Sequence, residues 1–153
     1  MATAKIITLF IHNLLRWAIV ISSVYTLFIL FKGWIKNQAW QDAHRKALMI
    51  FTMLLDTQLL LGLLLYFVFS DLTKAAFADF SAAMGNQILR FFTVEHSLLM
   101  VLAIVIGHIA SAVGKKDLPD LDKFKRTAIL TAIAFFLLIG GIPWTIRPLI
   151  PGF

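Results

Sequence analysis

The sequence predicts an all-α integral membrane protein: a four-helix bundle with a short amphipathic helix lying on the interface between the second and third spans. Three observations predict it. Hydrophobic residues make up 60% of the 153 residues and charged residues only 14%, with a mean hydropathy of +0.88, whereas soluble domains are nearer half apolar and a quarter charged. The apolar residues fall into four long runs. The basic residues fall unevenly between the two ends that those runs define. A soluble domain of this length has too little interior to hide so much apolar surface. A soluble enzyme is therefore excluded, and residues 1–153 read as a single four-helix transmembrane domain.

The first run extends from about Ile6 to Phe31 and carries His12, Asn13 and Arg16 near its start. That start is too polar, and Arg16 too deep, for a cleaved signal peptide, so the segment is expected to belong to the mature fold. The second runs from about Ala47 to Phe69 with Asp56 and Gln58 inside it, and the third from about Ile88 to Val113 with Arg90, Glu95, His96 and His108. The fourth, Thr127 to Ile142, is short for the roughly 20 helical residues that span a bilayer core, unless a turn before Thr127 or the residues around Pro143 complete it. Between the second and third runs, Phe77, Phe80 and Met84 recur at helical spacing among alanines, which reads as a short interfacial helix.

Charge gives the orientation. Lys32, Lys36, Arg45, Lys46, Lys115, Lys116, Lys123, Lys125 and Arg126 gather at one end, against Lys5, Arg16, Lys74, Arg90 and Arg147 at the other. The positive-inside rule places the richer end in the cytoplasm and both termini outside. The location expected is therefore the bacterial inner membrane, crossed several times. The net charge of +6 is thus an orientation signal. No phosphate-binding glycine loop or basic–aromatic interleaving accompanies it, so no nucleic-acid partner is expected; the lipid bilayer is the first partner. Without cysteine, disulfides, thiolate metal sites and iron–sulfur clusters are excluded.

Ionisable residues inside spans are functional candidates because burying them is expensive. Twenty residues back from Lys32 is His12, and twenty back from Gly114 is Val94, beside His96. At a common rise per residue the two histidines share a depth near the outer face. If helices 1 and 3 are diagonal in the bundle, two imidazoles face each other across its interior, which is what a six-coordinate haem b requires. His12 and His96 are the candidate metal ligands, and Arg16, Arg90 and Arg147 the candidates to neutralise the haem propionates. A tetrahedral zinc site is the weaker reading, since only His12, His96 and Glu95 converge. Glu95 reads better as a salt-bridge partner of Arg90 or Arg16 than as an acid–base group.

One haem suits the spacing better than two. His96 and His108 are separated by 12 residues, about 18 Å along the helix and 120° around it, so they do not stack on one face. His44 and His108 also differ in depth. Asp56 is the better partner for His108, as an interhelical hydrogen bond that fixes the bundle or as part of a proton path. The small residues Ala103, Gly107, Ala110 and Gly114 form a stripe suited to close helix packing, or to the approach of a cofactor.

The segments LFIHNLLRW, DTQLLLGLLLY, FFTVEHSLLM and GIPW together resemble a group of small bacterial four-helix membrane proteins described as cytochrome b or b561-like. The resemblance spans the chain. It implies a haem-carrying membrane protein, although a b561 arrangement holds ligand pairs in both halves, which the 12-residue spacing does not match. Two functions compete. The first is a membrane electron-transfer protein or subunit carrying haem b between the quinol pool and an outer acceptor, with quinone and membrane or periplasmic redox proteins as partners. The second is a cofactor-free accessory or scaffold subunit of a larger membrane complex. A small proton-coupled carrier built on Asp56 and His108 is a third. A subunit is expected rather than a stand-alone enzyme.

Overall fold

The computed structural model describes residues 2–144. Four helices are long and apolar enough to cross a membrane: α1 (Ala2–Ile35), α2 (Asp42–Phe69), α5 (Gln87–Gly114) and α6 (Asp120–Gly141). Two short helices, α3 (Asp71–Ala78) and α4 (Phe80–Gly85), connect α2 to α5. In hydrocarbon the backbone must satisfy its own hydrogen bonds, which is why the spanning elements are uninterrupted helices.

The structure extends three of the spans beyond their apolar runs. α2 begins at Asp42, five residues before Ala47, because the Gln41 amide donates to His44 Nδ1 at 3.0 Å and closes the first turn. α6 begins at Asp120, with Asp120 and Asp122 in its first turn, where carboxylates oppose the helix dipole. Those seven added residues, nearly two turns, complete the fourth span. α1 has 34 residues, about 51 Å of helix, and outruns a bilayer core of roughly 30 Å.

The interfacial segment also differs in detail from the single helix expected. It breaks at Asp79, whose side chain accepts from the Ala82 amide at 2.9 Å and starts α4. Ser70 caps α3 in the same manner, accepting from the Thr73 amide at 3.2 Å. Phe77 and Phe80 remain exposed on either side of the break, as an interface-lying pair requires.

Each span packs on the next and α6 returns to α1, so α1 and α5 lie diagonally across the bundle. The core is dense in the middle and toward the end bearing most of the lysines, hereafter the basic end. Ile19, Phe51, Leu55, Ala103, Ile104, Ala134 and Leu138 form one cluster, and Leu30, Leu48, Ala110, Phe124 and Ala128 another. The small-residue stripe of α5 serves this packing. A β-carbon at Gly107 would lie 3.0 Å from Leu55, and one at Gly114 would meet Leu48 and Trp40. Two buried hydroxyls in the same half are satisfied within their own helices. Thr26 donates to the Ser22 carbonyl at 2.7 Å and Thr127 to the Lys123 carbonyl at 2.7 Å.

Gly33 of α1 lies directly against the ring of Phe124, which a β-carbon would enter. Gly33→Ala should destabilise the bundle by about 1–3 kcal/mol through overpacking. Thermal unfolding in detergent checks this, and Phe124→Leu added to Gly33→Ala should restore part of the loss.

Candidate functional site at the end opposite the lysines

The packing opens at the other end of the bundle. There a cavity of about 390 Å³ is lined by residues of α1, α2, α3, α5 and the end of α6, within the range of about 300–1,000 Å³ usual for cofactor and ligand pockets. His12 of α1 and His96 of α5 both line it. Their ring centres are 6.5 Å apart and their planes are inclined at 64°. The diagonal arrangement of α1 and α5 is what lets the two rings approach without the helices touching.

Each ring is held by a local device. His96 donates from Nδ1 to the carbonyl of Gly141 at 2.7 Å. That carbonyl belongs to the last residue of α6, one of the terminal carbonyls that lack an intrahelical partner. The GIPW segment builds this end. Ile142 takes an extended backbone, Pro143 has no amide to donate, and the Trp144 indole donates back to the Ile139 carbonyl at 2.8 Å. A β-carbon at Gly141 would strike Met100 and sit 3.1 Å from Leu99, so glycine permits the contact between α5 and α6 at this level. With Nδ1 committed as a donor, the Nε2 of His96 keeps its lone pair, the arrangement found behind metal-bound histidines.

His12 is seated by α2. Gln58 donates from Nε2 to the His12 carbonyl at 3.0 Å, and the bare Gly62 faces the His12 ring, whose Cε1 would be 3.5 Å from a β-carbon there. The Nδ1 of His12 is buried and has no hydrogen-bond partner among the described residues. An unsatisfied buried polar atom is costly and calls for an explanation. Arg16, one turn on, is buried and also lines the cavity. It is a fixed positive charge beside a largely apolar space, and it favours an anionic group there.

A bis-imidazole metal fits these positions. An ion bound by one nitrogen of each ring at about 2 Å sets in-line ring centres roughly 6 to 6.5 Å apart, and the observed separation is 6.5 Å. Among the described residues no group of three or more His, Cys, Asp or Glu is placed to hold a metal ion. A zinc site built by protein ligands alone therefore has no support, and Glu95 is engaged elsewhere.

The remaining expected residues divide. Arg90 does not line the cavity. It bonds Glu95 at 2.7 Å and the Met84 carbonyl at 3.1 Å, pinning α4 to the start of α5. Arg147 lies outside the described residues. His44 and His108 are not brought together. His44 caps α2 and packs against Trp40 and Phe124, whereas His108 bonds Asp56 from Nε2 at 2.7 Å.

Several cavity residues were not singled out from the sequence: Lys5, Gln58, Gly62 and Tyr66. Gln58, Gly62 and Tyr66 recur every four residues, a stripe in the DTQLLLGLLLY segment that would have found them. Two wide π-helical turns, Leu65–Phe69 in α2 and Phe91–Glu95 in α5, also shape the site. Both supply cavity-lining residues, and the second ends immediately before His96. Such turns re-aim the residues around them and cluster at functional sites.

The interfacial helix α3 closes the mouth. Tyr66 donates to the Thr93 carbonyl at 2.8 Å, and Thr73 to the Tyr66 carbonyl at 2.6 Å. Lys5 meets Asp71 at 2.5 Å across the opening. The hydrogen bond and charge of Lys5 hold the Asp71 carboxyl below its ordinary value.

No protein-family model, curated protein or solved structure matches the chain. Fold and site together define a small all-α membrane protein with four spanning helices. The likeness to b561 proteins gains nothing from these comparisons.

Tyr66→Phe should cost about 0.5–1.5 kcal/mol of stability by removing the bond to Thr93, read as a lowered unfolding temperature in detergent. The Asp71 carboxyl is lowered in the folded state, so its contribution is present at neutral pH and lost as pH falls through that lowered value. A spin label at Ala75 should accordingly become more mobile in acid, and Asp71→Asn should show that mobility at neutral pH.

Proposed function

We propose that the protein is a small membrane subunit whose cavity binds one haem b, with His12 and His96 as axial ligands, and that it passes electrons between the quinol pool and an acceptor at the cavity end. The observation that carries this reading is the diagonal imidazole pair, 6.5 Å apart beside a cavity that both rings line. The bond from His96 to Gly141 and the unpartnered Nδ1 of His12 support it, because ligation gives both rings a function inside the membrane. Haem supplies one-electron redox chemistry when bound, and the protein sets its potential through ligation, burial and nearby charge. Arg16 is the residue here to face a propionate. The excess of basic residues in those loops supports a reading in which their end faces the cytoplasm of a bacterial inner membrane and the cavity faces the outer side.

A cofactor-free accessory or scaffold subunit is the second reading. The four-helix bundle supports it directly, and the lack of any larger metal-ligating group among the described residues favours it. Its cavity would hold lipid or a partner's side chain, and its histidines would be structural.

Protein purified from membranes should show the Soret and alpha bands of haem b in a reduced-minus-oxidised spectrum, with one haem per chain. His12→Ala and His96→Ala should each remove the six-coordinate spectrum while the helical circular dichroism persists. A folded preparation that stays colourless when haem is supplied would establish the cofactor-free reading instead.

A further inference from the structure

The His108–Asp56 pair lies outside the bundle interior. Asp56 is 14 residues inside the start of α2 and His108 is six residues from the end of α5, so both sit within the spans. Their side chains are 48% and 50% exposed, on the outward groove between α2 and α5. A half-exposed acid and imidazole facing hydrocarbon are costly, and such groups are found against protein or water. The bond between them uses Nε2 and Oδ1. Among the described residues the His108 Nδ1 and the second oxygen of Asp56 make no hydrogen bond, so each retains capacity for one more partner.

The surroundings have the form of an interface seam. On α2, Met53, Asp56 and Leu60 recur at i, i+3 and i+7. On α5, Val101, Val105 and His108 recur at i, i+4 and i+7. The four apolar members are 47–68% exposed. This is the seam spacing of packed helices, with one polar position in each stripe, and a lone polar position in a seam sets register and partner number. Here one stripe carries an acceptor and the other a donor.

We propose that this face is the interface of a two-fold homodimer in the membrane. The charge pattern is self-complementary. An axis along the bilayer normal brings α2 of one copy against α5 of the second, and these run antiparallel, as they do within one chain. Asp56 of each copy then meets His108 of the other: carried as imidazolium, each His108 donates from Nε2 to Asp56 of its own chain and from Nδ1 to Asp56 of the other copy, and four polar groups close into one charge-neutral network shielded from lipid. A closed two-fold contact of this kind uses the same patch twice.

The parent chain has no cysteine, which makes single-cysteine cross-linking clean. Chains carrying Leu60→Cys on α2, mixed with chains carrying Val105→Cys on α5 in proteoliposomes of phosphatidylcholine, should form a disulfide-linked heterodimer on oxidation, whereas chains carrying Phe136→Cys, exposed on α6, should not cross-link. Energy transfer between labelled chains should show a dimer that dissociates on lipid dilution. The double variant Asp56→Leu with His108→Leu makes the face wholly lipid-compatible, and should weaken association by about tenfold or more. A parent that is monomeric across the dilution series would overturn the proposal. So would a folded double variant that associates as tightly as the parent, or cross-linking of the Phe136→Cys chains equal to that of the mixed pair. If the double variant does not fold, the cross-linking pair decides. None of these readouts uses a haem band, so the dimer stands or falls independently of the cofactor.

Discussion

A histidine ring bonded to the final carbonyl of the neighbouring helix sets the geometry of the open end of this bundle. In water the last carbonyls of a helix are hydrated. In a membrane they must find donors within the protein, and His96 supplies one to Gly141. That single bond gives the Gly141 carbonyl a donor, fixes which nitrogen of His96 carries the proton, and holds the ring toward His12. The absence of a side chain at Gly141 and of an amide at Pro143 are its preconditions. Around it the structure leaves space rather than filling it.

The two ends of the bundle thus solve different problems. Toward the basic end, glycine and alanine let the helices approach closely, and Phe51, Phe124, Leu30, Leu48 and Leu55 are fully buried. Thr26 and Thr127 there bond back to their own helices, so polar atoms are present without opening gaps. Toward the cavity end, larger polar side chains reach across helices: Gln58 to the His12 carbonyl and Tyr66 to Thr93. These contacts hold the walls apart at set distances. The rigid half anchors the helices, and the cross-helix bonds define the space between them.

Much of this was legible in the sequence. Apolar runs and the uneven lysines define the spans because the bilayer imposes length and polarity so strongly. Counting residues along two helices was enough to place His12 and His96 at one depth, because the rise is constant. The diagonal arrangement was left open against a neighbouring one, and packing resolved it. The helix starts were misplaced because hydrophobicity marks where lipid begins and not where helix begins. Gln41 with His44, and Asp120 with Asp122, act just outside the apolar runs. Arg90 looked available to a cofactor because sequence order could not show that Glu95 and Met84 occupy it. The wide turns were invisible, since no residue type demands one and tertiary contacts decide where the ladder slips.

Those two wide turns carry a consequence for how such a protein changes over time. A turn that closes onto the fifth residue instead of the fourth holds one residue more than an α-helical turn. Losing one residue from Phe91–Glu95 would leave an ordinary α-helical turn, with the helix on either side keeping its face and only the residues of the turn itself re-aimed. The same holds for Leu65–Phe69. Point substitutions in the cavity alter its lining one side chain at a time. A single-codon deletion in either turn re-aims several lining positions at once while leaving span number, orientation and basic-end packing untouched. The cavity end is therefore the part of this architecture where one small genetic step can exchange one site for another.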